Sequence, residues 1–405
     1  MTERLDGARV LIYSHDSFGL GHLRRCRAIA HSLVDQYKGV SVLILSGSPI
    51  IGSFDFRARV DFVRIPGVIK LYNGDYTSLG LHIDLKETLA MRASIIRHTG
   101  EIFAPDLFLV DKEPLGLKDE VKSTLQRLRA KGTATVLGLR DVIDSPTLLS
   151  SEWKRKRVIP ALDRLYDEIW VYGLREFSCP FEGMEIPPSV HNKIAYTGYL
   201  PRAVPQAAAL NTKAPPSEPY LLVTAGGGGD GAEMMDWVLR AYECDSSLPF
   251  AALLVLGPFM PAATKQAFLE RVTELDRVTA IEFDSHIERL MERASAIVAM
   301  GGYNTFCEII SLDKRALLIP RTHPRREQLV RATTAQNFGL VEVLRSDTRR
   351  DTNTMIEALH KLPHQKLPSE AAIPGLLNGL EKVNELAERH IVRSNLQVPL
   401  KRSVE

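Results

Sequence analysis

Four short stretches of the sequence carry residue types able to bind an anion, orient hydroxyls or move a proton. The first is Ser14-His15-Asp16-Ser17-Phe18-Gly19-Leu20-Gly21-His22, between an apolar run and a helical pattern. Gly19 and Gly21 permit a tight turn and close backbone approach to a ligand. His22 falls at the start of the predicted helix, where the dipole disfavours an imidazolium and helps keep the ring a neutral base. As chemistry His22 is a general base; as structure it is a surface histidine beside a helix cap. The G-x-G-H pattern alone does not decide between them.

The second stretch, Gly226-Gly227-Gly228-Gly229-Asp230-Gly231, directly follows the apolar run Tyr220 to Ala225. So many glycines cost much backbone entropy. The cost makes sense if their N–H groups face an anion at the N-terminus of the next helix. The spacing differs from G-x-x-x-x-G-K-[ST], which excludes a P-loop. The third stretch is Met300-Gly301-Gly302-Tyr303-Asn304-Thr305-Phe306-Cys307-Glu308, again a glycine turn into a helix. Glu308 lies about one and a half turns in, where its carboxylate can accept hydrogen bonds from two vicinal hydroxyls, such as those of a ribose. The plainer reading is a solvated helical glutamate. The fourth stretch runs from Pro320 to Gln328. Arg321 and His323 can touch a diphosphate, and Glu327 and Gln328 can bond sugar hydroxyls; Arg325 and Arg326, taken alone, read as surface charges.

These groups need a frame that brings them to one edge. Short apolar runs at 8–14, 41–46, 60–65, 106–111, 133–139, 168–172 and 193–197 predict strands. Amphipathic stretches at 20–37, 84–101, 117–131 and 151–165 predict helices between them. That alternation implies parallel strands with right-handed crossovers. Residues 203–219, rich in Pro and Ala, read as a linker. The alternation then restarts, with strands expected at 220–225, 250–256, 278–283, 295–300 and 315–320. Helices are expected at 231–243, 261–275, 285–293, 303–312, 325–337 and 371–391. The expected domains are 1–202 and 220–370, each α/β and doubly wound, with 371–405 as a terminal helix and tail. Ligands of such sheets bind beyond the carboxyl ends of the strands, where the four stretches fall.

Composition narrows the class. The chain has 405 residues, 45% hydrophobic and 25% charged, which suits two soluble globular domains. A net charge of +2 is too balanced to call for nucleic acid as a partner. Cys26, Cys179, Cys244 and Cys307 form no C-x-x-C pair, so neither a disulfide framework nor a zinc site is expected and a cytoplasmic setting fits. No run approaches the roughly 18 apolar residues of a membrane span, so any membrane contact is expected to be peripheral, at the inner face.

With these motifs assembled, the chain resembles the GT-B glycosyltransferases of the MurG type. The resemblance covers most of the sequence. It is strongest over Phe18–Ala30 and from Phe283 to Gly339, where F-D-x-H-I, A-M-G-G-Y-N-T-F-C-E and L-L-I-P-R-T-H-P-R-R-E-Q occur in order. It implies two Rossmann-like halves facing across a cleft and closing on a nucleotide-diphosphate sugar, with uridine as the expected base. By the same resemblance Glu308 binds the ribose, and Gly227, Gly228, Gly302 and Tyr303–Thr305 (with Asn304) contact the diphosphate. Glu327 and Gln328 meet sugar hydroxyls, the segment Phe283, His286, Ile287 lies near the base, and His22 serves the acceptor side. MurG-type enzymes carry two glutamines where Glu327 and Gln328 stand, so N-acetylglucosamine is not implied.

The implied reaction is a single inverting displacement without cofactor or metal, in keeping with the missing D-x-D motif. Helix N-termini and Arg321 would stabilise the leaving diphosphate, and His22 would deprotonate the acceptor hydroxyl. Asp111, Glu113 and Asp141 follow first-half strands and are reserve candidates as base or orienter. A lipid-linked or polysaccharide acceptor is one expectation, with Trp153-Lys154-Arg155-Lys156-Arg157 and Arg24, Arg25 and Arg27 as basic clusters able to meet an anionic surface. Two other readings stay open. G-L-G-H-L-R-R-C also resembles nucleotide-sugar hydrolases of this fold, in which the histidine would activate water; a sensor that binds without turnover is the other.

Overall fold

The structure, a computed structural model, describes residues 3–15, 21–70, 76–204, 218–227, 229–284, 286–345 and 350–397. The chain forms two compact units. One comprises Met1–Leu200 together with Gly375–Glu405, the other Pro201–Pro374.

The first unit is built on a seven-stranded parallel sheet. In chain order its strands are β1 (Arg9–Ser14), β2 (Ser41–Ser46), β3 (Val60–Arg64), β4 (Leu107–Asp111), β5 (Ala134–Arg140), β6 (Glu168–Tyr172) and β7 (Ile194–Tyr196), arranged β7-β6-β5-β4-β1-β2-β3. β1 and β4 are almost wholly buried, which is why they read as continuous apolar runs and not as alternating ones. Tyr13 stands opposite Val110, and Ser14 opposite Ser46. The helix Gly21–Gln36 buries Leu23, Cys26, Ile29, Ala30, Leu33 and Val34, one apolar stripe at helical spacing. Arg25 is the charged exception on that stripe.

The second unit repeats the plan. Its strands β8 (Tyr220–Thr224), β9 (Ala251–Val255), β10 (Val278–Ile281), β11 (Ala296–Ala299), β12 (Arg315–Leu318) and β13 (Glu342–Val343) are arranged β10-β9-β8-β11-β12-β13, all parallel. Leu221, Val223, Trp237, Leu254, Val298 and Leu317 belong to its core. In each sheet the first strand is central. The chain winds outward to one side, then returns to continue on the other. Each sheet therefore has a switch point, between β1 and β4 in the first and between β8 and β11 in the second.

The structure departs from the sequence expectations at identifiable residues. The helix expected over 151–165 is two helices, Pro146–Arg155 and Val158–Leu165, joined at Arg157 with φ 51°. Pro160 explains the break. It has no N–H and would clash with the carbonyl four residues back in an unbroken helix, so it is placed in a first turn. The helix expected over 117–131 is a 3-10 turn at Leu117–Asp119 followed by Lys122–Ala130. The terminal helix starts at Gly379, after the Pro374-Gly375 break, and not at 371. It packs on the first unit, where Asn384 donates to Ser32 Oγ (2.9 Å) and His390 bonds Glu168 (2.8 Å). A side chain at 379 would stand 2.5 Å from the Tyr199 carbonyl, hence the glycine. Strand β13 and the helix Thr352–Lys361 have no counterpart in the sequence reading.

Candidate functional site

Both switch points carry the chemistry-bearing residues. In the first unit, β1 leads through Ser14 and His15 toward the helix that begins at Gly21, and β4 ends on Asp111. His22 Nδ1 lies 2.5 Å from Asp111 Oδ2. Arg25, one helical turn beyond His22, donates from Nε to Asp111 Oδ1 (2.8 Å) and from Nη2 to Oδ2 (2.7 Å), a two-pronged pair. Asp111 and Arg25 are buried, and the His22 side chain is 15% exposed.

The charges follow from these contacts. Burial pushes the His22 imidazole down to about 3, against the pull of Asp111, so the ring is neutral at pH 7. Burial alone would raise the Asp111 carboxyl, but the Arg25 guanidinium and His22 hold it well below the usual carboxylate range. Burial also works against charged Arg25, and Asp111 more than offsets it. A neutral imidazole facing a carboxylate donates from Nδ1, which leaves the Nε2 lone pair as a base. His22 and Asp111 thus have the geometry and charge states of a base and its orienter.

A second buried layer supports this pair. The His15 ring lies edge-on to His22, with centroids 5.8 Å apart, and its Nδ1 is 3.3 Å from the Tyr13 hydroxyl. Tyr13 donates to Glu120 Oε1 (2.5 Å), and Arg92 clamps both oxygens of Glu120 (2.6 and 2.7 Å). The break before the helix Lys122–Ala130 is where Glu120 sits. Burial holds His15 neutral as well.

In the second unit, β8 runs into Gly226 and Gly227, and the Gly227 carbonyl accepts from Phe259 N (2.9 Å). β11 leads through Gly301, in the left-handed region at φ 78°, to Gly302 and the helix Tyr303–Ser311. Arg331, fully buried, donates to the Gly301 carbonyl (3.1 Å) and lies over the Tyr303 ring, 5.6 Å from its centroid. Arg202 ties the same helix at both ends, through Asn304 Oδ1 (2.8 Å) and Ser311 Oγ (3.0 Å). Thr305 lies in the first turn. Glu308 is 1% exposed, so it is not a solvated surface glutamate. After β12, Arg321 bonds Asp230 of the glycine loop and donates to Glu327 Oε1 (2.6 Å), and its backbone N–H reaches Gln328 Oε1 (3.1 Å). Glu327 and Gln328 are buried at the start of the helix Glu327–Asn337. The His323 ring faces Thr322 Oγ1 at 3.1 Å. His286 N donates to Asp284 Oδ1 (2.7 Å) ahead of the helix that begins at Ile287, and Phe283 is exposed.

The sequence-derived candidates therefore fall into two groups, one per sheet. Gly19 and Gly228 lie outside the described residues. Gly21 opens the helix that carries His22. Asp141 accepts from the Tyr199 hydroxyl (2.8 Å), and Glu113 pairs with Lys156 (3.2 Å). One expectation is corrected: Arg25 is no surface cation, because three residues beyond His22 it shares the inward face of the helix. Trp153 likewise packs in the core against Phe181, although residues 154–157 are exposed. Sequence reasoning missed Arg25's role, Arg331, Asp230, Arg202 and the Tyr13–Glu120–Arg92 layer. Spacing offered a clue for two of them, since Arg25 is i+3 from His22 and Arg331 is i+4 from Glu327.

Residues 221–389 match the glycosyltransferase family 28 C-terminal domain. No curated protein sequence matches the chain significantly. Among solved structures, the chain is similar to MurG of Acinetobacter baumannii, with 12% identity over 94% of this chain and 99% of that one and a TM-score of 0.59. It is also similar to Phytolacca americana UGT2, solved with UDP-2-fluoroglucose and pterostilbene (14% identity, 97% and 99% covered, TM-score 0.59). A third is the glycosyltransferase VinC, solved with dTDP (15% identity, 96% and 100% covered, TM-score 0.58). At these identities the likeness is one of fold, and the fold is GT-B. Among the described residues, no helix is long and apolar enough to cross a membrane.

Proposed function

We propose that this chain, a glycosyltransferase of GT-B fold with a family 28 C-terminal domain, transfers a sugar from a nucleoside diphosphate to a hydroxyl acceptor with inversion, using His22 as base. The observation that carries the reading is the neutral His22 held at 2.5 Å by a buried, ionised Asp111 at the switch point of the first sheet. Nothing about packing requires that pair. It fits the removal of a proton from a nucleophile.

The second unit holds the donor in this reading. Glu308 takes the ribose hydroxyls, the glycine turns at 226–227 and 301–302 take the diphosphate, and Glu327 with Gln328 takes the sugar. The Phe283–Ile287 segment takes the base, expected to be uracil. Nε2 of His22 accepts the proton of the acceptor hydroxyl as its oxygen bonds the anomeric carbon. The anomeric C–O bond breaks, and its electron pair leaves with the diphosphate. The N–H groups of Gly302–Thr305 and the helix dipole stabilise that charge, and Asp111 stabilises the imidazolium. Arg321 is already shared between two carboxylates, so its part is to join the glycine loop to the start of the Glu327 helix. Such a site needs no metal. The acceptor class is a lipid-linked or polysaccharide hydroxyl.

A thermal-shift panel of UDP, GDP, dTDP and ADP without metal, on wild type and Glu308→Ala, tests the donor site. UDP at about 100 times its dissociation constant should stabilise by about 2.7 kcal/mol, and the variant should lose that response. No response to any nucleotide would overturn the assignment. Turnover of the matching nucleotide sugar then separates transfer, which yields a glycosylated acceptor, from hydrolysis, which yields free sugar.

A further inference from the structure

We propose that Arg25 is a positioning residue for the reaction: it clamps both oxygens of Asp111 and opposes protonation of His22, so that the base stays available in acid. The inference rests on His22 as the base. It deepens that reading by assigning a role to a residue that does not itself touch the reacting atoms.

The geometry is specific. Asp111 Oδ2 receives Nδ1 of His22 at 2.5 Å and Nη2 of Arg25 at 2.7 Å, while Oδ1 receives Nε of Arg25 at 2.8 Å. The guanidinium and carboxylate planes are thereby fixed against each other, and the carboxylate cannot swing away from His22. Nη2 also stands 3.0 Å from Nδ1. Both are donors aimed at the same oxygen. A second positive charge on the imidazole would thus form in contact with the first.

Asp111 alone would stabilise the imidazolium and raise the basicity of His22. Burial is the largest influence against that pull, and Arg25 opposes part of it while preserving the orientation. Among the described residues, the other charged or titratable groups acting on His22 include Lys112, which follows the strand end at Asp111 and opposes protonation, and His15 beyond β1, held neutral by burial. Burial and the two cations act in the same direction. Fold stability gives little reason for this arginine. It lies on the apolar stripe of its helix, and replacing a buried ion pair by apolar residues is often neutral or stabilising.

The test follows the His22 ring by NMR of the full chain labelled with ¹³C and ¹⁵N histidine, assigned with His22→Ala, alongside kcat/KM against pH for the nucleotide sugar that turns over. In the wild type, His22 should show a single Nδ1–H tautomer and no titration between pH 8 and 5. In Arg25→Gln the titration should start at higher pH, with the protonated fraction of the ring at pH 5 raised about tenfold. The acid limb of kcat/KM should then move up by about one pH unit. Arg25→Lys keeps the charge but loses the fork. It should lower kcat about tenfold at every pH, with donor KM and the His22 tautomer unchanged.

A residue needed only for folding would lower activity without moving either titration, and an unshifted His22 in folded Arg25→Gln would overturn the proposal. Should Arg25→Gln not fold, as judged by circular dichroism, Arg25→Lys decides: a kcat-only loss supports the clamp and wild-type kcat overturns it. A wild type that turns over no nucleotide sugar sinks the transferase reading but leaves the NMR comparison intact.

Discussion

Asp111 makes the residue-scale case, because its two neighbours ask different things of it. His22 needs an acceptor at Oδ2 to keep the Nδ1–H tautomer, and Arg25 needs a full negative charge. Asp111→Asn fails both. The amide can present its NH₂ to the ring and favour the wrong tautomer, which in serine-protease triads costs about 10⁴-fold in kcat; here a loss of at least about 100-fold is expected. Leaving Arg25 buried without its counter-ion should also cost about 3–5 kcal/mol of stability, measurable by urea unfolding. Asp141 is the contrast. Its carboxylate accepts from Tyr199 at 2.8 Å, and an amide oxygen can do the same, so Asp141→Asn should cost less than about tenfold in kcat. Comparable losses in the two variants would remove the distinction drawn between them. From sequence, both aspartates looked alike, each following a first-half strand. Only the pairing of β1 with β4, and the helical turn that places Arg25 beside His22, separates them.

At the scale of elements, the strands were legible because buried parallel strands are short apolar runs with polar ends. β1, β4 and β8 lie within a residue or two of expectation. The helix Thr352–Lys361 was missed because its 10 residues are a short window for a periodic signal, although Met355 and Leu359 are buried and Ile356 and Ala358 pack against the core. Glu308 stood out as a candidate by its place in a glycine-turn helix, whereas Arg331 lies in a later helix and meets Gly301 only through the fold. The turn from β11 into the helix Tyr303–Ser311 allows a test of what each glycine does. At Gly301 an added Cβ would meet Leu318 Cδ1 at 3.0 Å, on a backbone with φ 78°. Gly301→Ala should therefore lower the stability of the free protein by at least about 1–2 kcal/mol. Gly302 has an ordinary φ of −58° and open space around its Cβ position. Gly302→Ala should change free-protein stability by less than about 1 kcal/mol, yet weaken UDP binding in titration calorimetry, because in the proposed donor site the methyl would sit where the diphosphate approaches. Full UDP affinity in Gly302→Ala would place the diphosphate elsewhere.

Across the whole molecule, the distribution of buried histidines sets how the chain meets acid. The histidines that burial holds neutral among the described residues are His15, His22, lowered to about 3, and His31, lowered to about 4, with Arg27 and Arg57 adding to the effect at His31. All three lie in the unit of Met1–Leu200 and Gly375–Glu405. A histidine whose folded pKa lies below its unfolded value of about 6.5 takes up a proton on unfolding. Its contribution to stability is present above pH 6.5 and falls away as the pH drops toward the folded value. Each such proton removes at most about 1.4 kcal/mol per pH unit, with His31 contributing less because solvent screens it. The carboxylates held low, Asp111, Glu168 and Asp245, have ordinary values near 4 and begin to cost stability only below that. Between pH 6.5 and 4.5 the histidines of the first unit therefore dominate, at roughly 2–4 kcal/mol per pH unit against a typical domain stability of about 5–15 kcal/mol. Calorimetric scans at pH 7.0, 6.0 and 5.0 should show the transition of the first unit moving down steeply while that of the second moves little. His22→Gln should flatten the slope by about one proton. A slope unchanged by that substitution would mean that His22 takes up no proton on unfolding, and the hold of burial on its neutral form would be lost with it.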